Sequence, residues 1–517
     1  MERETASSDG KDVEFLITAS EAYPAFERAF LATRREAILS FRIFDPWTEL
    51  RSSEAREIGK TWFDLIAHKL AQGVRLTIIV NDFDPIALPD MHRVSWESLR
   101  SLVAAGEASG RPENLEARVA MHPARVGWLS CLGFWPLSRK ELSGTAKRIN
   151  DLPTRERQRF YERTPYLWRH MKLERGLLRL IHGVLPRLVP VTHHQKLAVF
   201  DQEVLYIGGL DLDERRYDSK QHEEPADQTW HDVQVLVRGG PKVADAHAHL
   251  KTFEASTAGA TPPELPNVLR TLSQRRDSGF LHLSPRFCLR EIESAHRVAV
   301  SRARRLIYLE SQFFRDTRLA KHFAKRADEN RDLTLILVLP AAPDDVAFEN
   351  RSGGDARYGE YLQAKCVDIL MTGFGDRMTL VSPAQPRRGT ETGRATLYDA
   401  PLVYVHAKVS VFDDTEAIVS SANLNGRSLK WDTEAGIRLD DPGAIVRFRE
   451  RLFSHWLGPD AGPEFFDPKT AQIAWRERAR SNARLAPEDR VGFMLPYASR
   501  PARRFGRNLP GIPEEMV

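Results

Sequence analysis

Apolar and polar positions along the chain follow two alternating patterns, one typical of amphipathic helices and one typical of buried strands. Apolar side chains at helical spacing predict helices over residues 21–35 and 53–72. Short apolar runs rich in β-branched residues predict strands over 37–44 and 74–80. A helix followed by a buried strand, twice in succession, indicates an α/β protein with partly parallel strand pairing.

The same order of elements starts again in the second half of the chain, after a break near Thr261-Pro262-Pro263. The pattern there predicts helices over 292–305 and 319–330 and strands over 306–314 and 333–339. The predicted fold class is therefore α/β with two similar lobes, each a mixed β-sheet flanked by helices. We expect a pseudo-twofold axis to relate the lobes and the active site to lie at their interface.

The predicted domain organisation follows the changes in composition along the chain. Its parts are a disordered leader over 1–12, an amino-terminal lobe over 13–258, a linker over 259–284, a carboxyl-terminal lobe over 285–458 and a Pro- and Arg-rich tail over 459–517. The first lobe contains a basic, aromatic-punctuated segment over 134–190, interpreted as an insertion or helical excursion. Interspersed glutamates favour a solvated helical face for it over a lipid-binding surface, which stays the alternative.

Composition and charge limit the function classes. The 517 residues include 75 Lys and Arg and 71 Asp and Glu, for a net charge of +4, so charge alone does not indicate a nucleic-acid-binding protein. Three scattered cysteines without metal-type spacing favour a reducing compartment over a disulfide framework or a zinc site. No apolar run approaches the roughly 18 residues of a membrane-spanning helix. These features predict a soluble, cytoplasmic protein.

An internal repeat contains the candidate chemistry. The first copy comprises His194, Lys196, Asp201, Gly208, Gly209 and Asp211. The second comprises His406, Lys408, Asp413, Ser420, Ser421 and Asn423. At a constant offset of 212, residues 194–211 align with residues 406–423 without a gap.

The spacing of each His and Lys has a chemical meaning. Residues i and i+2 of a strand face the same side, so each His projects together with its Lys. Two such strands would bring two imidazoles and two ammonium groups to one cleft, which suits an anionic phosphodiester. Imidazoles, with an ordinary pKa of about 6.5, can divide nucleophile and general-acid duties near neutral pH. The lysines would stabilise charge on the phosphoryl oxygens, and this chemistry needs no metal and no cofactor.

The two His-x-Lys-x4-Asp motifs resemble the signature of the phospholipase D superfamily, and most closely that of phospholipases D proper. Four flanking elements are also similar to that family: Gly208-Gly209-Leu210-Asp211, Trp230-His231-Asp232, residues 307–314, and residues 421–428 with Glu434. The resemblance extends over about residues 13–456.

The resemblance implies roles for the site residues. His194 would attack phosphorus to give a phosphohistidine, and His406 would protonate the leaving alkoxide and then activate water or an alcohol. Lys196, Lys408 and Asn423 would bind phosphoryl oxygens.

Acidic residues after each motif have two expected roles. Asp232 and Glu434 are candidates for orienting the imidazoles. Which acid pairs with which His stays open, although pairing across the halves suits the symmetry. Asp201 and Asp413 are expected to be structural and to cap the turn after each strand. Asp211 stands where the second copy has Asn423, and because a carboxylate cannot donate to a phosphoryl oxygen, the site should be asymmetric.

The implied function is a metal-independent phospholipase D. It would hydrolyse the distal phosphodiester of glycerophospholipids to phosphatidic acid and a free headgroup alcohol, with transphosphatidylation when an alcohol is present. The alternatives are a cardiolipin-synthase-like phosphatidyltransferase, a nuclease of the same superfamily, and a lipid-binding scaffold without activity. The expected partners are a glycerophospholipid at a membrane surface, met peripherally, and water or an alcohol. Delivery into other cells as an effector is also open.

Overall fold

The computed structural model describes residues 13–276, 280–349 and 351–517. The predicted leader over 1–12 lies outside the described residues.

The amino-terminal half builds a seven-stranded mixed sheet. In chain order its elements are β1 (Val13–Ile17), α1 (Ala19–Ala32), β2 (Glu36–Phe41), α2 (Ser53–Arg56), α3 (Trp62–Ala71), β3 (Arg75–Asn81), α4 (Pro89–Ala108), β4 (Leu115–Ala120), α5 (Trp128–Gly133), α6 (Trp135–Asn150), α7 (Thr154–Glu162), β5 (Met171–Glu174), β6 (Leu177–Leu180), β7 (Leu197–Phe200), β8 (Val204–Gly208), β9 (Val233–Arg238) and α8 (Gly240–Ala258). The strand order is β1-β9-β8-β7-β2-β3-β4. Strands β2, β3 and β4 pair in parallel, and the other neighbours are antiparallel.

The carboxyl-terminal half builds a nine-stranded mixed sheet. Its elements are β10 (Leu269–Gln274), β11 (Arg286–Arg290), α9 (Glu291–Arg302), β12 (Leu306–Ser311), α10 (Thr317–Glu329), β13 (Thr334–Val338), α11 (Asp344–Ala347), α12 (Gly354–Phe374), β14 (Met378–Pro383), β15 (Thr396–Leu397), β16 (Ala400–Pro401), β17 (Lys408–Phe412), β18 (Glu416–Ser420), α13 (Gly426–Lys430), β19 (Glu434–Leu439), α14 (Pro442–Leu457), α15 (Ala471–Asn482), β20 (Met494–Pro496) and α16 (Ser499–Phe505). The strand order is β11-β10-β19-β18-β17-β12-β13-β14-β20, in which β12, β13 and β14 are parallel.

Six strands occupy the same places in both sheets. The order β9-β8-β7-β2-β3-β4 in the first sheet corresponds to β19-β18-β17-β12-β13-β14 in the second. Helices accompany both sheets, so the predicted α/β class with two similar mixed-sheet lobes is confirmed. The motif strands β7 and β17 hold equivalent central positions.

The two lobes share one apolar core. Leu205 and Val235 of the first sheet belong to the same cluster of buried apolar side chains as Val409 and Val419 of the second. Burying such side chains contributes roughly 1.5–3 kcal/mol each, so the interface that carries the motifs is part of the core itself.

Two stretches contain elements that the sequence did not predict. The predicted linker over 259–284 contains β10, which pairs with β19 and extends the second sheet. The predicted tail over 459–517 contains β20, which pairs with β14, and α15, whose Trp475 is fully buried. In both stretches a few buried apolar positions fix an element that a polar or Arg-rich composition obscures.

The segment over 134–190 forms a small subdomain of its own. Helices α6 and α7 pack with the hairpin β5–β6 around buried apolar side chains that include Leu142, Ile149 and Phe160. The prediction of a helical excursion omitted the hairpin. Across the described ranges of the chain, no helix has the length and apolar character needed to cross a bilayer.

Candidate active site

The two motif histidines occupy equivalent backbone positions at the interface of the lobes. His194 lies three residues before β7, and His406 lies two residues before β17. The backbone N–H of His194 donates to the carbonyl of Thr433 at 2.8 Å, and that of His406 donates to the carbonyl of His231 at 2.8 Å. Each histidine is therefore attached to the residue that precedes the acidic residue of the opposite lobe.

The acidic partners are exchanged between the lobes. Nδ1 of His194 lies 3.0 Å from the Glu434 carboxylate, and Nδ1 of His406 lies 2.6 Å from Oδ2 of Asp232. This answers the question that the sequence left open, because each imidazole is held by the acid of the other half. With Nδ1–H donated to a carboxylate, Nε2 is left for the pocket.

Both motif lysines are buried beside the imidazoles. Nζ of Lys196 lies 3.7 Å from Oδ2 of Asp211, and Nζ of Lys408 lies 2.9 Å from Nδ1 of His406. Each ammonium also donates to the carbonyl of the histidine in its own motif. Burial lowers the pKa of Lys196, and it lowers the pKa of Lys408 to about 7.

Burial and the neighbouring cations keep the imidazoles uncharged. Burial lowers the pKa of His194 and of His406 well below the ordinary value, and the adjacent lysine charges act in the same direction. Burial also raises the pKa of Asp232, and raises that of Glu434 to about 8. Neither imidazole–carboxyl pair is therefore cationic at rest, and the fixed positive charge of the pocket comes from other side chains.

The position shared by Asp211 and Asn423 makes the pocket asymmetric. Oδ1 of Asp211 accepts the backbone N–H of Ile43 at 2.9 Å, and its Oδ2 faces Lys196. Asn423 is 5% exposed, and its Oδ1 is buried without a hydrogen-bond partner. Both carboxylate oxygens of Asp211 thus have partners within the protein, whereas the amide oxygen of Asn423 has no hydrogen-bond partner.

The neighbouring small residues also differ between the halves. A Cβ at Gly209 would collide with the Asp232 carboxylate, so glycine makes room for that acid. The equivalent residue Ser421 donates its hydroxyl to Glu434. Glycine therefore leaves space for the Asp232 carboxylate, whereas serine binds the Glu434 carboxylate through a hydrogen bond.

Asp201 and Asp413 are structural, with a contact different from the predicted one. Both adopt left-handed backbone conformations, with φ of 50° and 52°. The Asp201 carboxylate accepts three consecutive backbone N–H groups at 34–36, and the Asp413 carboxylate accepts those at 304–306. They therefore hold the loop that enters the neighbouring strand, β2 or β12, and do not cap their own turn.

Three arginines around the pocket are absent from the sequence-predicted site. Arg42 and Arg427 contribute to the lowered pKa of His194, and Arg216 contributes to that of His406. The guanidinium of Arg216 lies 3.6 Å from the ring centroid of Trp230. Nε of Arg42 and Nε of Arg216 are buried without hydrogen-bond partners. Arg427 lies in the segment 421–428 that resembles the family, but no spacing signal in this Arg-rich chain singled out an arginine as a site residue.

The assembled site is a buried cationic pocket with two uncharged imidazoles. Its positive groups suit an anionic tetrahedral centre, and its Nε2 atoms suit nucleophilic and proton-transfer chemistry on it.

Part of the chain is similar in sequence to known proteins. The family model described as "Cardiolipin synthase, PLD-like domain" matches residues 298–456. Phospholipase D alpha 1 of Oryza sativa subsp. japonica is 23% identical over 395 residues, which cover 52% of this chain and 49% of that protein. Phospholipase D A of Dictyostelium discoideum is 23% identical over 365 residues, covering 53% of this chain and 28% of that protein. This chain thus spans about half or less of the length of these relatives.

A solved structure with a similar fold is the phosphatidylserine synthase of Haemophilus influenzae Rd KW20. It aligns with a TM-score of 0.50 and 12% identity, covering 91% of this chain and 94% of that one. The chain thus resembles phospholipases D in sequence over about half of its length, and it shares a fold with this synthase over most of it.

Proposed function

We propose that this chain is a phospholipase D that cleaves the distal phosphodiester of glycerophospholipids through a phosphohistidine, without a catalytic metal. The observation that carries the proposal is the crossed pairing of His194 with Glu434 and of His406 with Asp232 in one cationic pocket. Two oriented imidazoles and fixed positive charge are what a two-step displacement at a phosphodiester requires.

In the first step, Nε2 of His194 attacks phosphorus. The P–N bond forms as the P–O bond to the headgroup breaks, and Nε2–H of His406 protonates the leaving alkoxide. In the second step, His406 takes a proton from water, whose oxygen attacks phosphorus as the P–N bond breaks. The products are phosphatidic acid and a free alcohol, and an added alcohol in place of water gives a phosphatidyl alcohol.

Substrate binding favours the protonated form of His406 that the first step requires. The Lys408 charge helps to hold the pKa of His406 low in the free protein. An anionic phosphodiester in the pocket offsets that charge and favours the protonated imidazole. Lys196, Lys408 and the amide of Asn423 would bind the phosphoryl oxygens and stabilise the charge that they develop.

The membrane contact that we propose lies on α5 and the start of α6. Trp128, Leu132 and Leu137 are 51%, 43% and 54% exposed, and the ring of Trp128 lies 5.8 Å from that of the exposed Phe280. Exposed apolar and aromatic side chains of this kind favour a membrane interface.

Vesicle flotation tests this contact. Replacing Trp128 and Leu132 together by Ser should reduce vesicle binding, whereas replacing Ile473, which is 47% exposed on α15, should not. Equal loss in both variants would contradict the assignment.

The experiment for the function uses the purified chain with mixed glycerophospholipid vesicles, ethanol and excess chelator. Lipid mass spectrometry should find both phosphatidic acid and phosphatidylethanol, and the lipid that disappears identifies the headgroup. A folded protein that yields neither product would contradict the proposal. Cleavage of plasmid DNA in the same buffer would favour the nuclease alternative.

A second candidate is phosphatidyl transfer, favoured by the description of the family model that matches residues 298–456. Vesicles of phosphatidylglycerol alone separate the two functions. Cardiolipin as the main product favours the transferase, and phosphatidic acid favours the hydrolase.

A further inference from the structure

A second cluster of imidazoles lies outside the His194–His406 pair. His222, His231 and His455 each place a ring nitrogen within 4.8 Å of the other two. His222 and His231 are fully buried, and His455 lines a surface groove together with Lys220 and Ser454. His455 is far in sequence from the other two residues, so no spacing motif reveals the set of three.

A carboxylate fixes the orientation of His222. Oδ2 of Asp218 lies 2.6 Å from Nδ1 of His222, and it also accepts the backbone N–H of Trp230 at 2.6 Å. An acceptor at Nδ1 places the ring proton there and leaves a lone pair on Nε2. The backbone of His222 is left-handed, with φ of 51°, and its carbonyl accepts from Gln385, so the ring is held in place from the second lobe.

A second carboxylate fixes His231 in the same way. Oε2 of Glu310 lies 2.8 Å from Nε2 of His231. Oε1 of Glu310 accepts from the Tyr308 hydroxyl at 2.6 Å and from Nε1 of Trp456 at 2.9 Å. With both Glu310 oxygens acting as acceptors, the His231 proton is on Nε2 and the lone pair is on Nδ1. That Nδ1 is buried and has no hydrogen-bond partner.

The ring nitrogens that carry lone pairs lie close together. Nε2 of His222 lies 3.0 Å from Nε2 of His455, and Nδ1 of His231 is an orphaned acceptor in the same cluster. A hydrogen bond between His222 and His455 satisfies two of the three nitrogens and leaves Nδ1 of His231 without a partner, which is unfavourable for a buried polar atom. A cation at the centre would satisfy all three.

We propose that His222, His231 and His455 bind one divalent transition-metal ion of the Zn²⁺ class. Neutral imidazoles are typical ligands of such ions, and each of the first two donates its other N–H to a carboxylate, as metal-bound histidines usually do. Asp218 and Glu310 would supply two negative charges against the two positive charges of the ion. His455 also lines a surface groove, so an ion would enter the cluster from that side.

The proposed ion would stabilise the active site and take no part in the reaction. His231 directly precedes Asp232, and its carbonyl accepts the backbone N–H groups of His406 and Ala407 at 2.8 and 3.1 Å. Neighbouring side chains of an extended segment point to opposite sides, so His231 can bind the ion while Asp232 holds His406. The site thus goes beyond the proposed function and stands without it.

The test uses the full chain without a histidine tag, stripped with chelator and titrated with Zn²⁺ or Co²⁺. We expect about one equivalent of Zn²⁺ by elemental mass spectrometry, visible absorption bands for bound Co²⁺, and a higher melting temperature with Zn²⁺. His455→Gln should abolish binding, and His296→Gln, at another buried histidine, should not. No binding to the unaltered protein, or binding that His455→Gln leaves intact, would overturn the proposal.

A conservative change outside the ligand set distinguishes a built site from chance binding. Asp218→Asn should weaken Zn²⁺ binding by about 10–100-fold, because a neutral amide replaces the carboxylate that accepts the His222 proton. An unchanged dissociation constant in a folded Asp218→Asn variant would contradict the assigned arrangement. Both measurements report metal binding directly, so their outcome is independent of any lipid assay.

Discussion

His194 and His406 have the same backbone setting, each hydrogen-bonded to the other lobe and each held through Nδ1 by that lobe's acid. The surroundings of the two histidines differ. In the first half, Lys196 faces the Asp211 carboxylate at 3.7 Å. In the second half, the corresponding residue is Asn423, and Lys408 has no such counterion from its own motif.

This comparison shows which features the repeat keeps and which it changes. The shared features place two imidazoles in one pocket, and the change from Asp211 to Asn423 removes a negative charge from one side. Burial lowers the pKa of Lys408 to about 7, although nearby carboxylates, that of Asp232 most strongly, act in the opposite direction. Lys196 therefore has a carboxylate partner in its own motif, whereas Lys408 has none there and is available to an anionic substrate.

The largest effect should come from removing the imidazoles one at a time. His194→Asn removes the nucleophile and should lower kcat by roughly 10⁴–10⁶-fold. His406→Asn removes the general acid and should cost roughly 10²–10⁴-fold on a natural lipid. With a nitrophenyl phosphodiester, whose leaving group needs no proton, the His406 variant should recover activity in its first turnover and the His194 variant should not.

The control for this pair is His247→Asn, at a half-buried histidine of α8, which should retain full activity. Equal recovery of both active-site variants with the nitrophenyl substrate would contradict the assigned division of roles.

The next prediction concerns the position at which the two halves differ, Asp211 in the first half and Asn423 in the second. Asn423→Asp places a carboxylate beside the phosphoryl oxygens and should lower kcat/KM by roughly 10²–10³-fold. Asp211→Asn removes only the charge that faces Lys196, because the amide oxygen can still accept from Ile43, so its loss should be smaller, at most about tenfold. Steady-state kinetics with thermal melts as a folding control measure both, and a larger loss for Asp211→Asn would reverse the comparison.

A third effect is the pH dependence caused by Lys408. Its ammonium binds the phosphoryl group only when charged, so kcat/KM should fall as the pH rises above about 7. A bound phosphodiester stabilises the ammonium, so the corresponding fall in kcat should lie at higher pH. The arginine of the Lys408→Arg variant keeps its charge throughout this pH range, so the fall in kcat/KM should move to higher pH. An unchanged profile in that variant would assign the titration to another group.

The smallest effect on activity concerns the two structural aspartates. Asp201→Asn and Asp413→Asn each weaken an acceptor of three backbone N–H groups, and each should cost about 1–3 kcal/mol of unfolding free energy. Because the two contacts are equivalent, the losses should be similar and kcat should change little. Chemical denaturation of both variants measures this, and a loss confined to one lobe would show that the two loops are not equivalent.

The sequence predicted the features that depend on local patterns. Hydrophobic periodicity predicted the α/β lobes, and the repeat brought His194, Lys196, His406 and Lys408 to attention. Alternation along an extended segment also explains why the His and the Lys of a motif share one pocket.

The missed features depend on contacts between distant segments. Pairing of Glu434 with His194 joins residues 240 apart, and only the packing of the lobes decides it. Strand β10 lies in a stretch that appeared to be a linker because its neighbours are polar. The His222–His231–His455 cluster has no sequence signal, since its third member comes from α14.

The central claim is that His194 forms the covalent intermediate and His406 transfers the proton. The most direct measurement is a rapid acid-free quench of the His406→Asn variant with a nitrophenyl phosphodiester, followed by peptide mass mapping. We expect a phosphoryl adduct on the peptide that contains His194, and none in the His194→Asn variant. An adduct on His406 in the His194→Asn variant, or no adduct in either, would contradict it.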